Sequence, residues 1–146
     1  MSNEVVWRVL GDFGTEHRWT KTLTLCERDT PDVGVGTVRL CKLARPLMGR
    51  AEVKETLTEF EPQRVLAYQL EGAAGPFATA TSRWSTRRKA PNSTAITVRG
   101  DFVAKNRATA YFVWPFAKIM ITRFTVGLLG ELEAYLTAQA HPPNPS

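Results

Sequence analysis

Apolar and polar residues alternate with a period of two through the middle of the chain and with a helical period at both ends. Near the start, Val6, Val9, Leu10 and Phe13 recur at three- and four-residue steps, which marks one face of a helix. Ser2 or Asn3 is placed to cap it. Glu4 suits its first turn, where the helix dipole favours negative charge. Gly11 and Gly14 limit it to about three turns, and Glu16–Trp19 is placed to add one more. Six runs of strand-forming residues follow: Thr22–Arg28, Thr37–Leu43, Ala51–Phe60, Val65–Glu71, Phe77–Lys89 and Thr94–Ala104. Between them lie turn and loop segments at Asp29–Gly36, Arg45–Arg50, Glu61–Arg64, Gly72–Pro76 and Ala90–Ser93. Side chains on a strand point alternately to the two faces. That puts Val53, Glu55 and Leu57 together, then Leu66, Tyr68 and Leu70, then Ala80, Ser82 and Trp84, then Ile96, Val98, Gly100 and Phe102. From Pro115 to Thr137 the helical period returns at Ala117, Ile121, Phe124, Leu128, Leu132 and Tyr135, with Pro115 suited to the first turn.

Helix, six hairpin-connected strands and a long helix predict an α+β fold, an antiparallel sheet with its helices gathered on one face. Residues 1–138 are expected to form one domain, and 139–146 a disordered proline-rich tail.

Composition narrows the function classes. The chain has 146 residues, 43% of them hydrophobic, enough for a real core. No basic-then-apolar leader opens it, so a cytoplasmic location is expected. The most apolar window, Tyr111–Gly130, is broken by Pro115, Lys118 and Arg123, which argues against stable membrane insertion. Folding the first hairpin about Val33 puts Cys26 opposite Leu40 or Cys41. A disulfide between adjacent strands is geometrically awkward, so free thiols are expected. The net charge of +5 is spread along the chain. The one dense cluster, Arg83–Lys89, contains Trp84, but alternation turns that ring to the face opposite Arg83, Ser85 and Arg87. It therefore cannot stack on a base outside, and no nucleic-acid partner is expected.

His17, His141 and the two cysteines lack metal-ligand spacing. No nucleophile elbow, phosphate-binding loop or dinucleotide fingerprint is present, so neither metal nor cofactor is expected. Glu55 shares a face with Val53 and Leu57. Burial there would raise its pKa and fit it for proton transfer; the alternative is a carboxylate near the sheet edge paired with an arginine. Tyr68 is either a hydroxyl for a polar ligand group or a core tyrosine.

The run Val6-Trp7-x-x-Leu10-x-Asp12-Phe13-Gly14 followed by Trp19 resembles the first helix of the SRPBCC proteins. These are the START-like helix-grip superfamily, which includes polyketide cyclase/dehydrase and lipid-transport types. Gly34-Val-Gly36-Thr-Val-Arg39, Lys54–Pro62, Leu66–Leu70 and the closing helix Phe124–Leu136 resemble later segments of the same family. The resemblance implies a curved antiparallel sheet gripping the C-terminal helix across a hydrophobic cavity. Its expected lining is Trp19, Leu57, Tyr68, Trp84, Phe102, Phe116, Met120 and Phe124, each of which ordinary core packing would also explain. It implies binding of a hydrophobic or polycyclic small molecule, lipid or polyketide-like. One alternative is a polyketide cyclase or aromatase working in the same cavity, with Glu55, Tyr68 and Arg39 as candidate catalytic residues. The other is a non-catalytic interaction module with a collapsed cavity. Family members usually carry a strand before the first helix, and here it is missing. Thr22–Arg28 and Thr94–Ala104 are then exposed edges, and a homodimer joined through them is expected.

Overall fold

Ser2 starts the first helix, α1 (Asn3–Leu10): its hydroxyl accepts a hydrogen bond from the Val5 amide, and the helix buries Val6, Trp7 and Leu10. The computed structural model, which describes residues 1–47, 50–71 and 77–140, continues through a single 3-10 turn at Glu16–Arg18 into six strands. These are β1 (Leu23–Arg28), β2 (Val38–Leu47), β3 (Arg50–Glu61), β4 (Val65–Glu71), β5 (Phe77–Ala90) and β6 (Ser93–Ala104). A long helix, α2 (Arg107–Ala140), closes the described chain. All strand pairs are antiparallel, in the order β1-β2-β3-β4-β5-β6, so the sheet stays open, with β1 and β6 at its edges. The α+β helix-grip expectation holds. The Gly72–Pro76 turn and the tail at residues 141–146 lie outside the described residues; Gln139 and Ala140 belong to α2 rather than to a tail.

Three expectations are corrected. The segment expected as a loop at Arg45–Arg50 is strand on both sides of Met48 and Gly49, which lie outside the described residues: β2 runs on through Leu47 and β3 begins at Arg50, with a register shift between Lys42 and Leu47 that accommodates Pro46. Cys26 and Cys41 are not free thiols. They are direct partners across β1 and β2, with Cα atoms 4.2 Å apart, and are joined in a disulfide. Close facing pairs of this kind bring side chains of adjacent strands within bonding reach. Finally, α2 begins eight residues earlier than its period suggested. Asn106 accepts from the Thr109 amide at its start, and Pro115 lies inside the helix rather than in its first turn.

The register lays the inward face out in rows. One row runs Cys26, Cys41, Val53; the next runs Arg39, Glu55, Leu70, Ala80, Phe102; then Leu57, Tyr68, Ser82, Gly100; then Leu66, Trp84, Val98. Gly100 has a local purpose: a Cβ there would meet the Phe102 ring at 2.8 Å, so glycine lets that ring lie along the sheet. Gly36, at φ +92°, makes the β1–β2 turn, and its amide donates to the Leu57 carbonyl.

The second half of α2 is the part that joins the main core. Leu128, Leu132 and Leu136 join Val6, Leu10, Phe13, Trp19, Leu66 and Trp84 in the core. The Glu131 carboxylate accepts from the Thr20 hydroxyl and the Lys21 amide, which ties this half to the loop before β1. The first half is largely exposed, including Tyr111, Phe112, Phe116, Ile119, Met120, Phe124 and Val126.

Candidate functional site

Two features bear on function: a buried ion cluster on the inward face of the sheet, and apolar side chains of β4, β6 and α2 that remain partly uncovered. The cluster grows from the row through Arg39 and Glu55. These residues are direct partners on β2 and β3, and the inward orientation of Arg39 drives its guanidinium under α1 and the 3-10 turn. Its Nε donates to Glu55, and its Nη2 lies 2.5 Å from Glu16 Oε2. All three residues are buried. The guanidinium lies 4.1 Å from the centre of the Phe13 ring and 4.8 Å from that of Tyr68. A weakly hydrated, planar cation suits such a site, because both its edges and its faces find partners.

One cation serves two carboxylates, which sets the protonation pattern. Burial pushes the Glu55 carboxyl above its usual range, Arg39 opposes the shift, and the charge of Glu16 adds to it. The Tyr68 phenol is pushed well up, first by burial and then by the two nearby carboxylates, so at neutral pH it is a neutral hydroxyl. The Arg39 guanidinium loses by burial but gains more from Glu16 and Glu55, and its charge is held firmly.

Val9, Leu10, Asp12, Phe13, Glu16, Trp19, Arg39, Leu66, Tyr68 and Trp84 enclose a pocket of about 20 Å³ beside this cluster. That is roughly the room one water needs. The large enclosed cavity expected between sheet and helix is not formed at this end, because α1 and the seated half of α2 fill it.

The structure brings the three candidate polar residues, Arg39, Glu55 and Tyr68, into one cluster. Glu55 does pair with an arginine, but in the interior of the sheet and not at its edge. Of the expected lining, Trp19, Tyr68 and Trp84 meet at the small pocket; the two tryptophans stack edge to face at 6.1 Å, and Trp84 Nε1 donates to Ser82. Leu57 is buried in the core. Phe102 lies apart from the pocket, half-buried and packed on Phe77 at 5.3 Å. Phe116, Met120 and Phe124 are exposed on α2, so they do not close a pocket with these residues. Glu16 and Phe13 were not anticipated. Glu16 sits in a short polar stretch remote from Arg39 in sequence; its one signal was an acid three residues after the apolar Phe13.

The partly uncovered apolar side chains lie on β4, β6 and the first half of α2. Ala117, Ile121, Phe124 and Leu128 fall on one stripe of the helix. Ala117 and Leu128 are buried, yet Phe124 between them is 51% exposed. On the sheet, Leu70 and Phe102 are likewise only half-buried, in the same row as Arg39 and Glu55. Apolar surface thus remains uncovered on the helix and on the sheet, and the row through Leu70 and Phe102 also contains Arg39 and Glu55.

Glu55→Gln tests the charge arithmetic. The variant keeps one carboxylate, Glu16, for the one guanidinium, so stability at neutral pH should change by no more than about 1 kcal/mol. A carboxyl whose folded pKa is raised binds its proton more tightly in the folded state. Its contribution is therefore greatest below the unfolded value and falls as pH rises through the folded one. Chemical denaturation of the variant should lose that decline above the ordinary glutamate range. An unchanged pH profile would show that Glu55 does not titrate in this window.

A family model described as polyketide cyclase / dehydrase and lipid transport matches residues 1–137. Zhui aromatase/cyclase from Streptomyces sp. R1128 superposes with a TM-score of 0.75 at 15% identity, over 99% of this chain and 92% of that one. Ara h 8.0201 superposes with a TM-score of 0.73 at 14% identity, over 94% and 91%. The di-domain ARO/CYC StfQ from the steffimycin biosynthetic pathway matches at 0.75 and 10% identity, over 95% of this chain and 48% of that one. At these identities the likeness establishes the fold. No curated protein sequence matches the chain.

Proposed function

The chain belongs to the polyketide cyclase / dehydrase and lipid transport family, and from that premise we propose that it binds a hydrophobic or polycyclic small molecule between the sheet and the first half of α2. The observation that carries this reading is Phe124, half exposed on a helical stripe where Ala117 and Leu128 are buried, while Leu70 and Phe102 on the inward face of the sheet are also only half-buried. Concave apolar surface with a few polar groups at one end is the usual form of a small-molecule site. The ligand's apolar body would cover Leu70, Phe102, Ile121 and Phe124. A polar end would reach toward the Arg39–Glu55 pair.

A cyclase reading uses the same face of the sheet. It is favoured by Arg39, Glu16 and Tyr68 lining the small pocket beside the ion cluster, where a neutral phenol could donate a hydrogen bond to a carbonyl. Binding is the stronger reading, because the charged members of the cluster are already paired with one another.

The test is displacement of a bound apolar dye, anilinonaphthalene sulfonate, by long-chain fatty acids and by anthraquinones. The wild type should bind the dye and release it to one of these classes. Ile121→Glu should weaken binding at least about ten-fold, since it replaces roughly one buried aliphatic side chain of contact with a charge. Undiminished dye binding in that variant would place the dye elsewhere and contradict the reading.

A further inference from the structure

The side of α2 that faces away from the sheet has an order of its own. Phe112, Phe116, Ile119, Arg123 and Val126 recur at steps of four and three residues, opposite the stripe that holds Ile121 and Leu128. The four apolar members are between 57% and 71% exposed. Tyr111, also exposed, packs edge to face on Phe112 at 5.2 Å. Between Asp101 and Glu131 the sequence has no acidic residue but has Lys105, Arg107, Lys118 and Arg123. An exposed apolar stripe this long is unusual on a soluble domain and marks an interaction surface.

We propose that this outward face of α2 docks the domain on an anionic lipid surface. Three observations select that occupant. A second copy of the chain, packed stripe to stripe, would bury Arg123 in the seam with no acid on either helix between Asp101 and Glu131 to meet it, a cost that leaves such pairing unfavourable. A bilayer carrying anionic headgroups supplies the missing negative charge to Arg123 on the stripe and to the long side chain of Lys118 on the flank of the helix. Tyr111, stacked on Phe112 of the stripe, also suits the headgroup boundary, where one edge of the ring is apolar and the other wet.

The helix lies on the surface and does not cross it. By length and composition α2 could span a bilayer: an 18-residue window has a mean hydropathy of 1.4 and is 11% buried. But Leu128, Leu132 and Leu136 are fixed in the core, and Glu131 is tied to Thr20 and Lys21. Spanning would pull the seated half out of the domain. Lying flat needs no rearrangement. The docking face is also on the opposite side of the helix from the ligand stripe, so the two contacts do not compete.

Cosedimentation with vesicles decides the matter. Vesicles of three parts phosphatidylcholine to one part phosphatidylglycerol should bind the protein, less so at high salt, and vesicles of phosphatidylcholine alone should bind it weakly. Removing two charges in Lys118→Gln/Arg123→Gln should weaken binding to the anionic vesicles about 30-fold. Removing two apolar anchors in Phe116→Ser/Ile119→Ser should weaken it about 100-fold or more. All four positions are exposed, and unchanged melting temperatures would establish that both variants fold. Equal binding to both vesicle types, or wild-type binding by either folded variant, would overturn the proposal. So would a dimer in sedimentation velocity that dissociates in Phe116→Ser/Ile119→Ser while vesicles are ignored. Dye displacement at the inner stripe should be unaffected by these substitutions, which separates a failure of docking from a failure of ligand binding.

Discussion

Replacing Arg39 with methionine should destabilise the domain by about 3–5 kcal/mol, the range expected when one partner is removed from a buried ionic cluster. At this chain length that is a fall in melting temperature on the order of 10 °C. The volume is nearly kept and the apolar stem still packs against Phe13 and Tyr68, so the loss reports charge and not a cavity. Glu16 and Glu55 would be left buried with no cation. Acidification neutralises leftover carboxylates, so the gap between variant and wild type should narrow as pH falls toward the ordinary glutamate range. Arg39→Lys should fall between the two, because an ammonium keeps the charge but cannot present separate edges to two carboxylates. The check is urea denaturation at several pH values. A pH-independent loss in Arg39→Met would show that packing, and not the ion cluster, carries the effect.

Leu132→Ala should cost about 2–5 kcal/mol. Leu132 is fully buried, at the centre of the only part of α2 seated in the core. The rest of the helix makes little packing of its own, so few neighbours can relax into the space. The effect should also be directional. Amides of α2 should exchange with solvent faster, while those of β3 and β4, held on both sides by paired strands, should keep most of their protection. Equal loss of protection across sheet and helix would mean that α2 and the sheet unfold as one unit, and that the seated half is not the weak joint.

The strands were legible because the sheet has one buried face, and burial on one face forces alternation with period two. Val65–Glu71 was read to the residue, and the shared faces from Val53 to Phe102 follow from the same rule. The β2–β3 hairpin was not legible. Pro46 and Gly49 read as loop chemistry, whereas the proline is absorbed at a register shift. The start of α2 was missed for a related reason. Just before Pro115, Tyr111, Phe112, Val113 and Trp114 put apolar residues on every side of the helix, so no single face stands out there, and Pro115 is the one visible boundary. The disulfide was missed because opposition was judged only to within a residue, and bonding depends on Cys26 and Cys41 being direct partners.

The site divides in the same way. Arg39, Glu55 and Tyr68 could be picked out as polar groups on an inward face, and they do meet. Their third charged partner, Glu16, comes from a segment whose position over the sheet depends on tertiary packing, which no local pattern encodes. Phe116 and Met120 show the opposite limit. Their chemistry suited a pocket wall, but identity says nothing about which side of an apolar helix faces inward.

The central claim, a hydrophobic ligand held between the sheet and the inner stripe of α2, is tested most directly by amide shift mapping. Isotopically labelled protein would be titrated with whichever fatty acid or anthraquinone displaces the dye. The account predicts saturable shifts at Leu70, Ala80, Phe102, Ile121 and Thr125, with little change at Phe112, Phe116 or Ile119. Shifts confined to the outward stripe, or none at saturating ligand, would contradict it.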